Sequence, residues 1–410
     1  MESIGYKENR KIFGAIVRIN RITKNKSQKQ MSKGICAPSY LSRIESGELL
    51  PSEEMTSILL NYLGLEYNND EKFISNGKKR IKDFFLALHY DEFDEVPKYF
   101  ARIEEISEQL VASPLILEYY LCVLARYACS TQRDKFENTQ QILLSSMDIL
   151  SPKQIATYNY YLAVDCLHRQ ENVALGKECL LKSLKYQKNG HIYYWLCLVY
   201  QIEGNQIKAY ESIKKALSLF VEEGNFISIM NSYEKIAEVY MILGNYADSL
   251  EYLDKALIMA KKLNNPFFIN HIITVLAWCQ FKLNDYKKSL KLIHSNEKVN
   301  DHRLNIPDII IESLVYLTTK DFNNLKKKCK DLNSLYQIDH VSDNFAKGMI
   351  DLFVFVSNNE QYIDDVAFEH ILLNAISSSV KYTELKKHLT LMLKEYYICH
   401  RKYKEALFIK

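Results

Sequence analysis

Apolar residues recur every three or four positions along most of the chain, the spacing that places them on one face of an α-helix. Only 12 Gly and 7 Pro interrupt the 410 residues, and 48% of the residues are hydrophobic. Sheet-rich folds use more turn residues than this, and disordered chains contain fewer apolar residues. The pattern therefore predicts an all-α protein.

The N-terminal region shows a series of short helices with abrupt ends. An apolar helical pattern comes first and contains Ile12, Phe13, Ile16, Val17 and Ile19. Ser27 is a good N-cap for a second short helix, which Gly34 terminates. Pro38 suits the first turn of a third helix, because a proline there loses no intrahelical bond, and Gly47 ends that helix. With a further helix capped by Ser52, this arrangement is typical of a helix-turn-helix.

The run SQKQMSKGICAPSYLSRIESGELLPS, which starts at Ser27, resembles the Xre/Cro-type helix-turn-helix family. Within it, SYLSRIESG corresponds to the end of the family's recognition helix. Arg21 matches an arginine that pairs in the family with the glutamate matched here by Glu45. Asn20 departs from the pattern, since an apolar residue is usual there. The resemblance implies double-stranded DNA as a partner.

The resemblance also assigns roles to the polar residues of the motif. Side chains at the start of a recognition helix reach base edges, whereas flanking cations and hydroxyls contact phosphates. The residues expected to face base edges are Gln28, Pro38, Ser39 and Tyr40. Those expected near phosphates are Lys33, Ser42 and Arg43. The alternative for each is a solvated helix face, with Tyr40 as a packing residue.

Charge separates this N-terminal head from the rest of the chain. Residues 1–50 carry ten Lys and Arg against four Glu, a local excess of +6. The whole chain has a formal net charge of +3, so the remainder is slightly acidic. A basic end on a neutral-to-acidic body indicates a polyanion bound at that end.

Beyond the head the sequence repeats with an offset of 40 residues. The aromatic and small residues around Gly204 recur around Gly244 and, more weakly, around Asn284. The clearest copy is YEKIAEVYMILGNYADSLEYLDKAL, which starts at Tyr233. Small residues where helices cross, with a helix-breaking Gly or Asn between them, resemble the tetratricopeptide repeat. Two segments are helical by pattern but match the repeat poorly, residues 77–150 and 300–385.

Arrays of this kind wind into a right-handed superhelix whose first helices line a concave groove. Asn side chains can hold a peptide backbone there, because each offers a donor and an acceptor, and aromatic rings can form apolar pockets. The groove residues expected to bind a peptide are Tyr158, Tyr161, Asp165, His191, Tyr194, Gln201, Asn231, Glu234, Glu238, Asn270, Thr274 and Trp278. An ordinary surface or packing role is the alternative for each.

An Xre-type head followed by tetratricopeptide-like repeats resembles the Gram-positive pheromone-responsive regulators grouped as Rgg, Rap, NprR, PlcR and PrgX. The resemblance spans essentially the whole chain. It implies a homodimer that binds promoter DNA and is switched by a short signalling peptide in the repeat groove. The expected divisions are a helix-turn-helix domain at 1–66, a linker at 67–76, and a peptide-binding and dimerisation domain at 77–410.

Two other functions remain open. The repeat array can instead bind or sequester a response-regulator protein, as Rap-like relatives do, or the chain can be a phage or mobile-element repressor without a peptide ligand. An enzyme is not expected, because no GxxxxGK[ST], GxGxxG, HExxH or GxSxG motif occurs. The nine Cys lack metal-site spacing, so neither a metal nor a cofactor is expected. No apolar run of about 18 residues occurs, so we expect a cytoplasmic protein.

Overall fold

The structure is a computed structural model, and it describes most of the chain. The described residues are 6–169, 172–296, 306–338, 344–359, 361–379 and 382–409. All regular secondary structure within these ranges is helical. The chain divides into two compact units, Met1–Ser228 and Ile229–Lys410.

The first unit starts with the head and continues through longer helices. The head helices are α1 (Tyr6–Thr23), α2 (Gln28–Ser32), α3 (Pro38–Glu45) and α4 (Glu53–Leu63). They are followed by α5 (Glu71–His89), α6 (Val96–Glu104), α7 (Ser107–Leu110), α8 (Ile116–Tyr127) and α9 (Arg133–Ser145). The remaining helices of the unit are α10 (Pro152–Arg169), α11 (Val173–Leu184), α12 (Gly190–Ile202) and α13 (Gln206–Glu223).

The head helices begin where the sequence predicts. Ser27 Oγ accepts from the Gln30 backbone N–H at 3.1 Å, and Gln30 Oε1 accepts from the Ser27 N–H at 2.8 Å. This reciprocal capping box satisfies two backbone donors at the start of α2. Gly34 follows α2 with a φ of +79°, a conformation that favours glycine. The predicted helix-turn-helix is confirmed.

Helix α5 begins at Glu71, inside the segment predicted as a linker. The carboxylate of Asp70 caps it by accepting from the Phe73 N–H at 2.8 Å. Helices α5 to α9 have unequal lengths, which explains why residues 77–150 match the 40-residue repeat poorly. The domain boundaries at 66 and 76 remain predictions.

The 40-residue offset corresponds to helical hairpins. A residue with left-handed backbone ends the first helix of each, with φ values of +74°, +78° and +62° at Gly204, Gly244 and Asn284. The residue that follows caps the second helix through a side-chain oxygen, and these caps are Asn205, Asn245 and Asp285. The small residues aligned at the helix crossings are fully buried, namely Ala209, Ser249 and Ser289. The predicted helical repeats are confirmed.

The second unit begins within α14 (Phe226–Ile242), whose first residues belong to the first unit. Its next helices are α15 (Tyr246–Lys262), α16 (Pro266–Lys282), α17 (Tyr286–Ser295), α18 (Ile306–Thr318) and α19 (Phe322–Ile338). After them come α20 (Asn344–Asn358), a 3₁₀ turn (Tyr362–Asp364), α21 (Val366–Ser378), α22 (Thr383–Cys399) and α23 (Tyr403–Phe408). One hydrophobic core runs from Met230 to Ala406.

Candidate nucleic-acid interface and ligand pockets

Arg21 of α1 and Glu45 of α3 form a two-pronged ion pair inside the head. Arg21 Nε donates to Glu45 Oε1 at 2.6 Å, and Arg21 Nη2 donates to Glu45 Oε2 at 2.8 Å. Gln28 Nε2 donates to the same Oε2 at 2.8 Å, and Arg21 Nη1 donates to the Lys26 carbonyl at 2.6 Å. Glu45 is only 1% exposed, so these hydrogen bonds replace the water that its carboxylate loses. The pairing expected from the sequence is confirmed.

Helix α1 crosses the end of α3 at Gly14. A Cβ at this position would lie 2.4 Å from the Ile44 carbonyl oxygen and 2.9 Å from that of Glu45. Both contacts are with backbone, which cannot rotate away as a side chain can. The absence of a side chain at Gly14 therefore allows the close approach of the two helices.

The face of α3 predicted to meet DNA points to solvent. Leu41 and Ile44 are fully buried and anchor the opposite face in the head core. The exposed members of the predicted set are Lys33, Pro38, Ser39, Ser42 and Arg43. Tyr40 is half-buried against the core, and Gln28 is half-buried and donates to Glu45. The arrangement thus leaves a polar, basic surface on α3, while the individual DNA contacts remain predictions.

Two polar residues of α1 hold the head against the helices that follow it. Asn20 is 5% exposed, and its Nδ2 donates to the Val111 carbonyl at 2.8 Å. The Arg18 guanidinium donates to both carboxylate oxygens of Asp148, at 2.5 and 3.0 Å, and to the Ser145 carbonyl at 2.7 Å. Asn20 departs from the family pattern because it makes this contact rather than filling an apolar core.

A pocket of about 530 Å³ lies within the second unit. We call it the acidic pocket, after its carboxylates Glu234, Glu238, Asp308 and Glu384. Its aromatic walls are Phe267, Trp278, Phe345 and Tyr382. Five residues predicted to bind a peptide line it, namely Glu234, Glu238, Asn270, Thr274 and Trp278.

One side of the acidic pocket is a hydrogen-bond network around Asp308. Thr274 Oγ1 donates to Asp308 Oδ1 at 2.5 Å, and Asn296 Nδ2 donates to Asp308 Oδ2 at 2.9 Å. The same amide lies 3.2 Å from the Asn270 carbonyl oxygen. Burial raises the pKa of Asp308, although the bonds from Thr274 and Asn296 oppose that effect. These groups therefore fix one another within the wall.

Three other polar atoms of the acidic pocket are buried without a hydrogen-bond partner among the described residues. They are the indole Nε1 of Trp278, Oδ1 of Asn296 and Oε1 of Glu384. The second oxygen of Glu384 accepts from the Tyr246 hydroxyl at 2.8 Å. Buried polar atoms are nearly always paired in folded proteins, so the wall of this pocket retains hydrogen-bonding capacity that no described residue uses.

An acid–base pair stands at the edge of the acidic pocket. His271 Nε2 lies 2.6 Å from Glu234 Oε1. The hydrogen bond that His271 donates to Glu234 raises the pKa of His271. Burial acts to raise the pKa of Glu234, but the hydrogen bond and charge of His271 outweigh it and hold that pKa below its usual value. The pair is therefore stabilised in its charged form.

A second cavity, of about 510 Å³, lies within the first unit. We call it the cationic cleft, after Lys78, Lys82 and Lys153 in its lining. Tyr161 and His191, both predicted to bind a peptide, line this cleft. His191 Nε2 lies 2.9 Å from the His89 carbonyl oxygen, and burial lowers the pKa of His191. A neutral ring that donates to this carbonyl fits both observations.

The remaining predicted groove residues are not brought to either cavity. Tyr158 is 4% exposed in the core, and Asp165 is 2% exposed and paired with Arg133 and Arg169. Tyr194, Gln201 and Asn231 are half-buried outside the described linings. The lining of the acidic pocket also contains Asp308 and Glu384, which lie within residues 300–385, a segment that matches the repeat poorly. Repeat alignment therefore gives no signal for them.

No cluster of three or more His, Cys, Asp or Glu suited to a metal ion occurs within the described ranges. Among the helices given above, none combines the length and hydropathy needed to cross a membrane.

Residues 17–68 match the family model for helix-turn-helix domains. The regulatory protein RapK of Bacillus subtilis (strain 168) is 20% identical over 267 residues, which cover 62% of this chain and 71% of RapK. The match to the helix-turn-helix family agrees with the fold of α1 to α4.

Solved structures share the helical-repeat fold. A Rap protein complexed with Competence and Sporulation Factor aligns with a TM-score of 0.62 and 13% identity, over 82% of this chain and 96% of that one. The apo form of the quorum sensor NprR from B. thuringiensis aligns with a TM-score of 0.61 and 18% identity, over 81% and 96%. NprR in complex with its cognate peptide NprX aligns with a TM-score of 0.55 and 18% identity, over 83% and 99%. The chain thus joins a helix-turn-helix domain to the repeat fold of Rap and NprR.

Proposed function

We propose that this chain is a quorum-sensing transcriptional regulator, which binds promoter DNA through α3 and is switched by a short peptide in the acidic pocket. The observation that carries the proposal is the geometry of α3. Its apolar face is anchored by Leu41 and Ile44, while its polar and basic face is exposed. The helix-turn-helix match and the repeat fold shared with the quorum sensor NprR support the same function.

The exposed residues of the head would contact DNA according to their position on or near α3. Pro38 and Ser39 lie at the N-terminal end of α3, the end that enters the major groove in this motif. Lys33 lies before that end and Arg43 lies in the last turn of α3, and both can neutralise phosphates. Because phosphate contacts release counterions, DNA affinity should fall steeply as salt rises.

The peptide-binding half rests on the unpartnered atoms of the acidic pocket. The Trp278 indole is a donor, whereas the free oxygens of Asn296 and Glu384 are acceptors. A peptide backbone supplies both complementary groups, a carbonyl and an N–H. The carboxylates of the pocket favour a peptide with a Lys or Arg side chain or a free amino terminus.

Switching follows from linkage between the two sites. A peptide that binds one conformation of the repeats more tightly shifts the population towards it, and DNA affinity changes by the same coupling free energy. We further propose a homodimer, in which two heads read two half-sites.

Fluorescence anisotropy on labelled DNA from the region upstream of the coding sequence tests the proposal. The titration is made at several salt concentrations, with and without candidate short peptides. The full-length variant S39A/R43Q should bind this DNA more weakly than the wild type. K261Q, which removes an exposed lysine of α15, is the matched control and should bind normally.

Salt-sensitive, sequence-selective binding that one peptide changes would support the regulator. Selective binding that no peptide changes would remove the peptide switch. Equal DNA affinity of the wild type and S39A/R43Q would show that α3 is not the DNA-binding element.

The similarity to RapK over 267 residues favours one second candidate, in which the repeats bind a response-regulator protein. The full-length variant S39E/R43E separates the two functions, because added negative charge on α3 opposes DNA binding. Capture of a purified response regulator by this variant would favour the second candidate.

A further inference from the structure

The cationic cleft has the size and walls of a small-molecule site. Its cavity of about 510 Å³ falls inside the usual range for such sites, about 300–1,000 Å³. Phe85 of α5, Leu121 of α8 and Tyr161 of α10 contribute apolar surface to it. Phe85 and Tyr161 are neighbours, with ring centroids 6.2 Å apart. A ligand of this cleft therefore needs an apolar body.

The charged residues of the cleft indicate which polar group the ligand carries. Lys78 and Lys82 lie one turn apart on α5, so they share a helix face, and Lys153 lies in the first turn of α10. All three are exposed, and none forms an ion pair with a described carboxylate. The carboxylate in the lining is Glu118, and the other titratable residues there are His89, His191, Tyr160 and Tyr161. Three lysines against one carboxylate favour an anion.

Glu118 offers a further polar contact in the cleft. Its Oε1 accepts from Gln154 Nε2 at 3.0 Å, whereas its Oε2 is buried with no partner in the described part of the chain. Burial raises the pKa of Glu118, although Gln154 and the charge of Lys78 oppose the shift. Protonation turns the free oxygen from an acceptor that repels an anion into a donor that can bind one.

We propose that the cationic cleft is a second ligand site, which binds a small apolar carboxylic acid in its anionic form. The carboxylate lies against Lys78, Lys82 and Lys153, and the apolar body packs between Phe85 and Leu121. The proposal uses no residue of α3 or of the acidic pocket, so it stands apart from the proposed regulator function.

The test compares two fluorophores on the full-length protein. 8-Anilinonaphthalene-1-sulfonate carries an apolar ring system with one anionic group, and N-phenyl-1-naphthylamine has the same rings without the charge. The variant K78Q/K82Q/K153Q removes the lysines from exposed positions and should fold normally. It should bind the anionic probe about tenfold more weakly, as expected for losing charge-assisted contacts, and the neutral probe as the wild type does.

A matched control is K326Q/K327Q/K330Q in α19, which removes three lysines of the second unit and should leave both affinities unchanged. Octanoate should displace the anionic probe from the wild type at a much lower concentration than octanol does. Equal anionic-probe affinity in wild type and K78Q/K82Q/K153Q, or equal displacement by octanol and octanoate, would overturn the site.

Discussion

The head and the acidic pocket differ in how completely their buried polar groups are hydrogen-bonded. In the head, both oxygens of Glu45 accept hydrogen bonds, and Asn20 donates across to the Val111 carbonyl. In the acidic pocket, Trp278 and Glu384 each have a buried polar atom without a partner in the described chain. The paired groups of the head stabilise its fold. The unpaired atoms of the acidic pocket leave hydrogen-bonding groups for another molecule.

Paired buried groups therefore contribute mainly to folding stability, whereas unpaired ones are available for ligand recognition. Removing one member of a satisfied buried pair leaves the other charged and unpaired, which is costly. Removing a polar atom that already lacks a partner costs the fold little. Substitutions that break a satisfied buried pair should therefore destabilise the protein more than substitutions at an atom that already lacks a partner.

The largest effect should come from E45A. The substitution leaves the buried Arg21 guanidinium without its carboxylate, and breaking such a pair costs about 3–5 kcal/mol. Hydrogen exchange of the α1 amides should show loss of protection by that free energy, and selective DNA binding should disappear.

The control for E45A is E48A. Glu48 is exposed and lies 3.8 Å from the exposed Arg43, so this pair should contribute less than about 1 kcal/mol. A loss of protection in E48A as large as that in E45A would mean that head stability does not depend on the buried pair.

G14A should have the next largest effect. Its Cβ would meet backbone oxygens of α3, so one helix must move, at about 1–3 kcal/mol. G77A is the matched comparison, because its Cβ would meet Leu115 Cδ1, the end of a flexible side chain. Thermal unfolding followed by circular dichroism should show the larger shift for G14A, and the reverse order would contradict the tight α1–α3 crossing.

W278F tests the acidic pocket. It keeps an aromatic ring and removes the unpartnered indole N–H, so the loss of thermal stability should be only that of a smaller ring in the core, about 1 kcal/mol. Affinity for a peptide that changes DNA binding should fall about tenfold, the value of one hydrogen bond. Isothermal titration calorimetry measures this change, and unchanged affinity would exclude the Trp278 N–H from recognition.

The smallest effect concerns pH. Because the pKa of His271 is raised, the ion pair makes its full contribution to folding stability below the ordinary histidine pKa of about 6.5. This contribution is lost as pH rises through the raised pKa. A lowered pKa at Glu234 gives stability that is lost as pH falls below about 4.3. Between these limits the pair should add a few tenths of a kcal/mol, given the exposure of His271. Urea unfolding from pH 5 to 8 should show this dependence in the wild type and lose it in E234Q.

The sequence predicts the local structure well because local chemistry determines it. Ser27 and Ser52 start helices through their own side chains, and Gly204 and Gly244 end helices through a backbone conformation that few other residues adopt. The Arg21–Glu45 pair is also predictable, since the motif fixes both positions. These features need no knowledge of distant segments.

The cavities are only partly predictable because they depend on distant contacts. Glu234 and Trp278 follow from the repeat register, but Asp308 and Glu384 reach the acidic pocket from helices with poor repeat similarity. The same register places Tyr158 in the groove, whereas the structure buries it in the core. Periodicity identifies a helix face, and the packing of neighbouring helices decides whether that face is open.

The contacts of Arg18 and Asn20 with the segments around α7 and α9 have a mechanical consequence. A DNA-binding domain on a flexible linker can reorient to reach its half-site. A head that is held at two points keeps a fixed orientation relative to the helices it contacts. In a dimer, the orientation of the two protomers would then determine the spacing along the DNA helix at which both heads can bind their half-sites. Inserting about five base pairs, half a turn of DNA, between such half-sites should abolish cooperative binding, whereas inserting about ten should restore it.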